Sequence, residues 1–483
     1  MKRNIVKTAL LASWAFLSVG CTDSFEDVNT DPDSTAEAPL TNVLAYTLQR
    51  TSSTLFDAWN DLNEPSTYGG HVAKIQYIDE SRYEFRPGVV ESKWYYIYLT
   101  YNNAKTIQKR AAEEGLTNME NVAKIWGVQL MQIATDTWRD VPYTEAAKME
   151  EGILLPKYDT QETIYPALLK ELGEAADALA SGASDDLGSG DVLFKGNINK
   201  WQRYCNSLRL RLAMRISAAD PALAKSTIET VLGNPSKYPV IDSNADNAFF
   251  MWPGSSPYME PWANDSRTRD DHAISDVMVN LLAELEDPRL PVYAHPIAND
   301  GKSFVGFEIG AKTQVDLKSV SRIGARFRDD FAGFTPYFRA AETLFIVAEA
   351  SKLGWNTGMS TKEAYEKAVT LSLEENGIAD ASTYLAGKAK FDDTMKQIHE
   401  QAWISLFKQG MECWSHFRRT GVPATHHVAA GSPYPGHNTP PFRYPYPGNE
   451  ANLNGANNSQ FIGNQKDFFW GQQMWWDKRT GVN

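Results

Sequence analysis

Cysteine is scarce in this chain, which has only Cys21, Cys205 and Cys413 among its 483 residues. Such a number excludes the dense disulfide framework that stabilises small secreted domains. We expect Cys205 and Cys413 to be buried free thiols on separate helices. The fold must therefore rest on a hydrophobic core, and a chain of this length with 42% hydrophobic residues can form a large one.

Positive charge is also in short supply. Lys and Arg total 47 against 60 Asp and Glu, which gives a formal net charge of −13. Proteins that bind nucleic acid through its phosphates need clustered Lys and Arg. The sequence therefore predicts no nucleic-acid partner, and it leaves neutral ligands open.

No apolar run is long enough to span a membrane. The run from Ala9 to Leu17 is short, follows the basic start Lys2-Arg3, and leads through small residues to Cys21. That order is typical of a lipoprotein signal peptide, cleaved before a cysteine that is then acylated. An ordinary signal peptide with a chance cysteine is the alternative. We predict a signal peptide over residues 1–20, lipidation of Cys21, and a lipidated flexible tether over residues 21–40, which are acidic and polar.

Recognisable catalytic and metal-binding motifs are missing as well. The sequence has no Gly-x-Ser-x-Gly elbow and no phosphate-binding loop, and His399-Glu400 lacks the second histidine of a zinc-protease helix. The histidines His426, His427 and His437 have no helical pair and no nearby acid, so we predict no metal site. We predict no enzyme and no cofactor besides the lipid. Sixty acidic residues leave a paired-carboxylate glycosidase open in principle.

Helical periodicity dominates the rest of the chain. Apolar residues recur at spacings of three and four from Ile164 to Leu179, with Asp159 or Thr160 as a candidate N-cap. Similar patterns predict helices over residues 201–216, 338–353 and 395–407. Consecutive helix pairs of this kind favour a tetratricopeptide-like arrangement, although no clean 34-residue repeat is present.

Several long segments lack periodicity. They cover residues 181–200, 243–272, 302–336 and 421–442, and the last of these contains five prolines and no Asp, Glu, Lys or Arg. Loops this long inside a compact domain are usually functional. We therefore predict a mainly helical body with an irregular, loop-rich half and few short strands.

A series of short motifs occurs in a particular order along the chain. They are Asn29-Thr30-Asp31-Pro32, Gly69-Gly70-His71, Thr135-Asp136-Thr137-Trp138-Arg139-Asp140-Val141-Pro142-Tyr143, Asn206-Ser207-Leu208-Arg209-Leu210-Arg211, Arg339-Ala340-Ala341-Glu342, Phe417-Arg418-Arg419-Thr420-Gly421 and Arg443-Tyr444-Pro445-Tyr446-Pro447. Together they resemble the SusD/RagB family of Bacteroidetes nutrient-binding lipoproteins, in its SusD-like subgroup.

The resemblance implies about four tetratricopeptide-like helix pairs packed against an irregular ligand-binding half, in a single domain over residues 41–483. It also implies an outer-membrane lipoprotein, exposed on the cell surface, that captures a glycan and delivers it to a TonB-dependent SusC-like transporter. Two alternatives stay open: a structural lid with little affinity of its own, and a binder of peptides. The resemblance implies that the protein is not an enzyme.

Glycan sites need flat aromatic rings for the apolar faces of sugars and planar polar groups for their hydroxyls. Two aromatic-rich, non-periodic segments supply both. The candidate ligand-binding residues are Trp59, Tyr68, His71, Gln76, Tyr77 and Arg82 in the first segment, and Trp252, Tyr258, Trp262, Asn264 and Arg267 in the second. The alternative is that these aromatics pack their loops onto the body.

Other prominent residues have structural interpretations. We expect Trp94, Tyr95, Tyr96 and Tyr98 to lie in the core, since they share one predicted helix. The block from Asp136 to Tyr143 is interpreted as a packed turn. For Arg209, Arg211 and Arg215 we expect salt bridges or a position facing the tether.

Overall fold

The computed structural model describes residues 38–462 and 469–483. Its α-helices, numbered α1 to α18, are Leu40–Thr54, Pro65–Tyr68, Pro87–Glu114, Thr117–Trp138, Gln161–Leu179, Ile198–Arg215, Pro221–Leu232, Pro261–Ser266, Asp276–Glu284, Leu290–Tyr293, Ala325–Arg328, Ala340–Lys352, Thr361–Glu375, Ser382–Ala386, Met395–Ser405, Gly410–Thr420, Gly448–Leu453 and Gly455–Ile462. The strands, β1 to β6, are Val72–Lys74, Val141–Pro142, Tyr158–Asp159, Ala248–Met251, His272–Ile274 and Phe334–Phe338.

The long helices form the scaffold. Each of α3, α4, α5 and α6 packs on the helix that follows it in the chain, and α12 packs on α6, α13 and α15. Four successive pairs can be drawn as α3/α4, α5/α6, α12/α13 and α15/α16. This layered packing confirms the predicted helix-pair architecture, in which each pair buries its apolar face against its neighbours.

Helix α5 shows how the sequence produces these elements. The Thr160 hydroxyl accepts the backbone N–H of Thr163 at 3.3 Å, so it is the N-cap. The stripe Ile164, Leu168 and Leu172 is buried against the adjoining helices. The predicted helices over 201–216, 338–353 and 395–407 are likewise confirmed as α6, α12 and α15.

A buried ion-pair network joins four of the helices, and we call it the arginine network. Arg211 of α6 binds Glu342 of α12 through Nε and Nη2, at 2.5 and 2.7 Å. Arg215, one turn later, contacts Asp136 of α4 at 3.0 Å and also binds Glu412 of α16. The expectation of salt bridges is confirmed for these two arginines, and the Asp136 block is structural.

A second hydrophobic cluster forms the core of the irregular half. It is built by β1 and β5, by helices α9 and α10, and by the segment Trp403–Phe407. Strands β1 and β5 are antiparallel, with Val72 opposite Ile274 and Lys74 opposite His272. This pairing brings the two aromatic-rich segments of the sequence, which lie about 200 residues apart in the chain, onto one side of the molecule.

Residues 421–442 contain neither helix nor strand, as predicted, and the irregular segment continues to residue 447. Buried side chains of α16 hold this segment in place: Trp414 Nε1 donates to the Pro441 carbonyl at 2.9 Å, and Arg418 Nη1 donates to the Phe442 carbonyl at 2.8 Å. A long irregular segment is thus ordered by side-chain hydrogen bonds to its backbone.

The structure confirms the expectation for the two cysteines and contradicts the one for Tyr95. Cys205 and Cys413 are both buried and unbridged, on α6 and α16, which confirms them as free thiols. Tyr95 was expected in the core and is instead 58% exposed, because its position on α3 faces away from the neighbouring helices. That prediction is wrong.

The first described helix begins at Leu40, the last residue of the predicted tether. The predicted signal peptide, Cys21 and almost the whole tether lie outside the described residues. Within residues 38–462 and 469–483, no helix is both long and apolar enough to cross a membrane.

Candidate functional site

A cleft of about 550 Å³ lies between a short π-helix, Ala58–Leu62, and the N-terminal turn of α3. Its walls combine aromatic, acidic, amide and guanidinium groups. The lining residues are Asp57, Trp59, Asn60, Glu84, Phe85, Arg86, Pro87, Gly88, Val89 and Ser92. We call this the Trp59 cleft.

The π-helix presents Trp59 to the cleft. Asp57 caps it by accepting the backbone N–H of Asn60 at 2.7 Å and the Asn60 amide at 3.2 Å. Asn60, Asp61 and Leu62 are buried, whereas Trp59 keeps 41% of its surface exposed. Single π-turns of this kind occur frequently at functional sites.

The opposite wall is fixed by a chain of ion pairs. Arg86 Nε lies 2.8 Å from Glu80 Oε1, and the buried Glu80 also pairs with Lys74 at 3.3 Å. Pro87 then starts α3 at its first turn, where a missing N–H costs nothing. The guanidinium of Arg86 is therefore held at the cleft wall beside Phe85.

A buried lysine supports the floor. Lys93 of α3 donates through Nζ to the Asn60 carbonyl at 2.8 Å, directly beneath the π-helix. Burial raises the pKa of Asp61 and Glu64 and lowers the pKa of Lys93, while the opposite charges partly offset each effect. The pKa of Asp57, at the rim, is also raised by burial.

A second cleft of about 290 Å³ adjoins the first. Glu84 and Phe85 line both, and Asp79, Arg82, Gly431, Pro433 and Tyr434 complete the second. Arg82 pairs with Asp79 at its edge. The segment Glu84-Phe85 therefore forms a ridge between two neighbouring depressions.

The structure places some predicted ligand-binding residues at the surface. Trp59 lines the larger cleft and Arg82 the smaller one. Tyr77 is 61% exposed and lies under the guanidinium of Arg269, at 5.6 Å, while Gln76 is half-buried. These residues can reach a ligand without rearrangement of the backbone.

Three more predicted residues are exposed on the second segment. Tyr258 is 49% exposed, and Asn264 and Arg267 are exposed at the end of α8. Helix α8 packs on the π-helix, so Asn264 and Arg267 lie on the same side of the molecule as Trp59. None of the three lines the Trp59 cleft.

Two predicted ligand residues of the first segment are buried, and their prediction as surface contacts is wrong. Tyr68 is 1% exposed and packs edge-on against Tyr83 and Trp414. His71 is buried, with Nε2 at 2.9 Å from the Trp403 carbonyl, and burial lowers its pKa to about 3. A neutral imidazole in the core is a packing residue here.

The two tryptophans of the second segment are corrected for the same reason. Trp252 is 4% exposed and donates through Nε1 to the Thr335 hydroxyl at 2.9 Å. Trp262 is 2% exposed, with the Lys408 ammonium 5.1 Å from its ring centroid. Both rings fasten their loops onto the body, which was the alternative interpretation of these aromatics.

Sequence reasoning missed Asp57, Glu84, Phe85 and Arg86. Asp57 precedes the π-helix as a capping residue would, and Arg86-Pro87 marks a helix start. These local signals identify a boundary between elements. They do not identify a cleft, because its other wall comes from a separate element.

The predicted loop histidines make structural contacts. His426 Nε2 lies 2.8 Å from the Tyr68 carbonyl, and the ring of His437 stacks on Trp470 with centroids 4.0 Å apart. Among the residues that the structure describes, no group of three His, Cys, Asp or Glu is arranged to hold a metal ion.

Comparison with solved structures identifies the fold. A SusD homologue from Bacteroides uniformis superposes with a TM-score of 0.80 at 24% identity, covering 91% of this chain and 99% of its own. A SusD-like protein from Bacteroides thetaiotaomicron gives 0.80 at 24% identity, over 92% and 100% of the two chains. A chitin-binding SusD homologue from Flavobacterium johnsoniae gives 0.79 at 24% identity, over 91% and 98%.

Sequence comparison adds the family. No curated protein sequence matches the chain significantly. The family model for SusD-like proteins, described as starch-binding and associating with the outer membrane, matches residues 31–447. This match covers most of the chain and includes both walls of the Trp59 cleft. The chain therefore belongs to the SusD-like family of starch-binding proteins associated with the outer membrane.

Proposed function

We propose that this protein binds a glycan chain in the Trp59 cleft at the cell surface and delivers it to a TonB-dependent SusC-like transporter in the outer membrane. The observation that carries the proposal is an exposed indole, Trp59, held on a buried π-helix opposite Phe85 and Arg86. The family description as starch-binding supports a carbohydrate ligand. The chitin-binding protein among the matched structures widens the class to amino sugars.

The chemistry of the cleft suits a neutral sugar. An indole face can pack against the apolar face of a pyranose, and a planar guanidinium and amide can bind hydroxyls at its rim. The carboxylates Asp57 and Glu84 add hydrogen-bond acceptors at the same depression. A volume of about 550 Å³ lies within the usual range for ligand pockets and accommodates a short oligosaccharide.

Anchoring and delivery are further parts of the proposal. We propose that residues 1–20 are removed, that Cys21 carries the lipid, that residues 21–40 tether the body, and that residues 41–483 form one domain. We propose binding without catalysis because the family is described by its binding of starch. The cleft does hold two carboxylates, Asp57 and Glu84, so release of shorter sugars is measured in the same experiment.

The test is a panel of maltooligosaccharides and chitooligosaccharides titrated into the purified protein by calorimetry. We expect binding of at least one series, and Trp59→Ala should weaken it at least about tenfold, a loss of ~1.4 kcal/mol. Tyr258→Ala is the matched control, since Tyr258 is similarly exposed but does not line the cleft. Its affinity should equal that of the parent protein.

Each alternative has its own outcome in this experiment. A structural lid would bind no glycan but would co-purify with a transporter from the outer membrane. A peptide binder would be saturated by peptides and not by glycans. Release of shorter sugars during incubation would contradict the proposal of a binding protein without activity. An equal loss of glycan affinity in Trp59→Ala and Tyr258→Ala would show that the glycan does not bind specifically in the Trp59 cleft.

A further inference from the structure

The smaller cleft, of about 290 Å³, repeats the chemistry of the Trp59 cleft that it adjoins. Its walls offer an aromatic ring, a guanidinium and two carboxylates, which come from Tyr434, Arg82, Asp79 and Glu84. We call it the Tyr434 cleft. The Trp59 cleft likewise combines aromatic, guanidinium and carboxylate groups. Two neighbouring depressions with the same set of groups suit a ligand that is built of repeating units.

The aromatic ring of the Tyr434 cleft is held in place from behind. Tyr434 packs against Phe469 and Trp470, with ring centroids 6.0 and 5.5 Å apart. Trp470 is itself fixed, because its Nε1 donates to the Thr439 carbonyl at 2.9 Å and His437 stacks on its ring. Tyr434 is only half-buried, so part of the side chain stays open to the cleft. A ring held in this way loses little freedom when a ligand binds.

The guanidinium of the Tyr434 cleft is positioned by a close backbone approach. A Cβ at Gly431 would lie 2.6 Å from Arg82 Cδ and 2.8 Å from the Gly310 carbonyl oxygen, so only glycine fits there. The Gly431 N–H donates to that carbonyl at 2.6 Å. Arg82 pairs with Asp79 and keeps 28% of its side chain exposed. The arginine stem is therefore packed, while its charged end can reach a hydroxyl group in the cleft.

The ridge between the two clefts is narrow. It consists of Glu84 and Phe85, which line both depressions. The Cα atoms of two consecutive residues are about 3.8 Å apart, so both clefts open within reach of one short oligosaccharide. Phe85 is half-buried and Glu84 is half-exposed, at 51% of its side chain. A chain that crosses the ridge can therefore contact both residues on its way from one cleft to the other.

We propose that the Trp59 cleft and the Tyr434 cleft are two subsites for one linear glycan chain, which crosses the ridge at Phe85 and packs against Tyr434. This inference rests on the proposed function of glycan binding. It adds the form of the ligand: an oligosaccharide with sugar units on both sides of the ridge, in place of a single sugar or a disaccharide. Two subsites on one ligand increase its affinity, because the second contact is made within a complex that already exists.

The test measures how affinity depends on glycan length. Maltooligosaccharides and chitooligosaccharides, from the disaccharide to the octasaccharide, are titrated into the purified protein by calorimetry. In the series that binds, the octasaccharide should bind at least about tenfold more tightly than the disaccharide, which is too short to occupy both clefts. One glycan molecule should bind per protein chain.

Two variants remove the second subsite. Tyr434→Ala removes the ring, and Arg82→Met removes the charged group while keeping the stem that packs against Gly431. Each should weaken octasaccharide binding at least about fivefold, with a much smaller effect on the disaccharide. Tyr46→Ala is the matched control, since Tyr46 is 41% exposed and lines neither cleft. It should bind like the parent protein, and circular dichroism should show all variants folded.

Several outcomes overturn the inference. They are equal affinity of the parent protein for the disaccharide and the octasaccharide, an unchanged octasaccharide affinity in both variants, and an equal loss at both lengths, which would indicate a structural role. Two octasaccharides per chain would show two independent sites and also overturn it.

Failure of the proposed function has a different signature. No glycan of any length would then bind, or Trp59→Ala would bind every length like the parent protein, and the two-subsite ligand would fall with it. If Trp59→Ala weakens binding at every length and changes at the Tyr434 cleft have no effect, the proposed function stands and this inference alone is overturned.

Discussion

The tryptophans predicted to contact a ligand differ mainly in how much of their surface the fold leaves accessible. Trp59 keeps 41% of its surface, whereas Trp252 and Trp262 keep 4% and 2%. The indole of Trp252 donates a hydrogen bond to the Thr335 hydroxyl, and the ring of Trp262 packs against the Lys408 ammonium. Both rings therefore hold their loops on the body. The exposed fraction of each ring is set by neighbours from distant parts of the chain, and it decides which aromatic residue can contact a ligand.

Asp265 offers a pH test at the residue scale. Its burial in α8, reinforced by the nearby Asp271, raises its pKa to about 6 from an ordinary value of 3.8. A raised pKa contributes stability that is complete below pH 3.8 and is lost as the pH rises through 6. Asp265→Asn should therefore stabilise the protein at pH 8 by about 1 kcal/mol, allowing for solvent screening at a partly exposed group.

Urea unfolding at pH 8 and pH 5 measures this effect. The advantage of Asp265→Asn should shrink towards pH 5, where the folded-state carboxyl of the parent protein is largely protonated. An advantage that is the same at both pH values would contradict the electrostatic explanation and indicate a packing effect of the amide.

At the scale of elements, the π-helix and α3 form one unit. The π-helix presents Trp59, and α3 supplies the lysine that holds the Asn60 carbonyl from below. Asp61 and Glu64 share the same buried space and need a cation for as long as they are ionised. The geometry of the cleft therefore depends on a charge that lies outside the ligand's reach.

Replacing Lys93 with an uncharged residue tests whether the floor of the cleft depends on its charge. Lys93→Met should lower the free energy of unfolding by about 3 kcal/mol at pH 8, since it leaves buried carboxylates without a partner. The loss should be smaller at pH 5, because carboxyls with raised pKa values take up protons there. Urea unfolding at the two pH values is the measurement.

Lys170→Met is the matched control for Lys93→Met. Lys170 is 79% exposed and pairs with Glu174 on the surface of α5, so its loss should cost under ~0.5 kcal/mol. A small loss at Lys93, similar to that of the control, would show that the floor of the cleft does not need the buried ammonium.

At the scale of the whole molecule, the arginine network joins four helices, α4, α6, α12 and α16. Burial alone would raise the pKa of Glu412, but Arg211 and Arg215 outweigh it and lower the pKa below its ordinary value of 4.5. A lowered pKa contributes stability above pH 4.5 that is lost as the pH falls. Burial raises the pKa of Glu342, in the same network, so the expectation of acid sensitivity rests on Glu412 alone.

Glu412→Gln should destabilise the protein by about 3 kcal/mol at pH 7, because it leaves two buried guanidinium groups short of negative charge. The difference from the parent protein should narrow as the pH falls below 4.5. Glu174→Gln, in a surface pair with Lys170, is the control. A pH-independent loss in thermal or urea unfolding would assign the effect to packing.

The proposed membrane attachment also belongs to the scale of the whole molecule. Cys21→Ala should remove the protein from the outer-membrane fraction in cells that lack the transporter, because no acyl chain can then be added. Cys205→Ala, which changes a buried free thiol, should leave attachment intact. Persistent outer-membrane association and protease accessibility of Cys21→Ala on such cells would contradict lipid anchoring.

Much of the architecture could be predicted from the sequence. Helix α5 was predicted from its apolar stripe and its cap at Thr160, and both are local properties. The free thiols and the ion-paired arginines followed from residue type and spacing. Tyr95 was predicted wrongly, because a helical pattern does not say which faces a neighbouring helix will cover.

The sequence by itself determined the helical scaffold, the acidic character and the family. Periodicity, net charge and the order of motifs are properties of the linear chain and do not depend on contacts between distant residues. Only the tertiary structure decided the site. Trp59 lines a cleft with Phe85 and Arg86 because a π-turn, an ion-pair chain through Glu80 and the start of α3 converge there. Tyr68, His71, Trp252 and Trp262 are buried because residues far along the chain cover them. Burial arises from contacts between distant segments, and no local pattern encodes it.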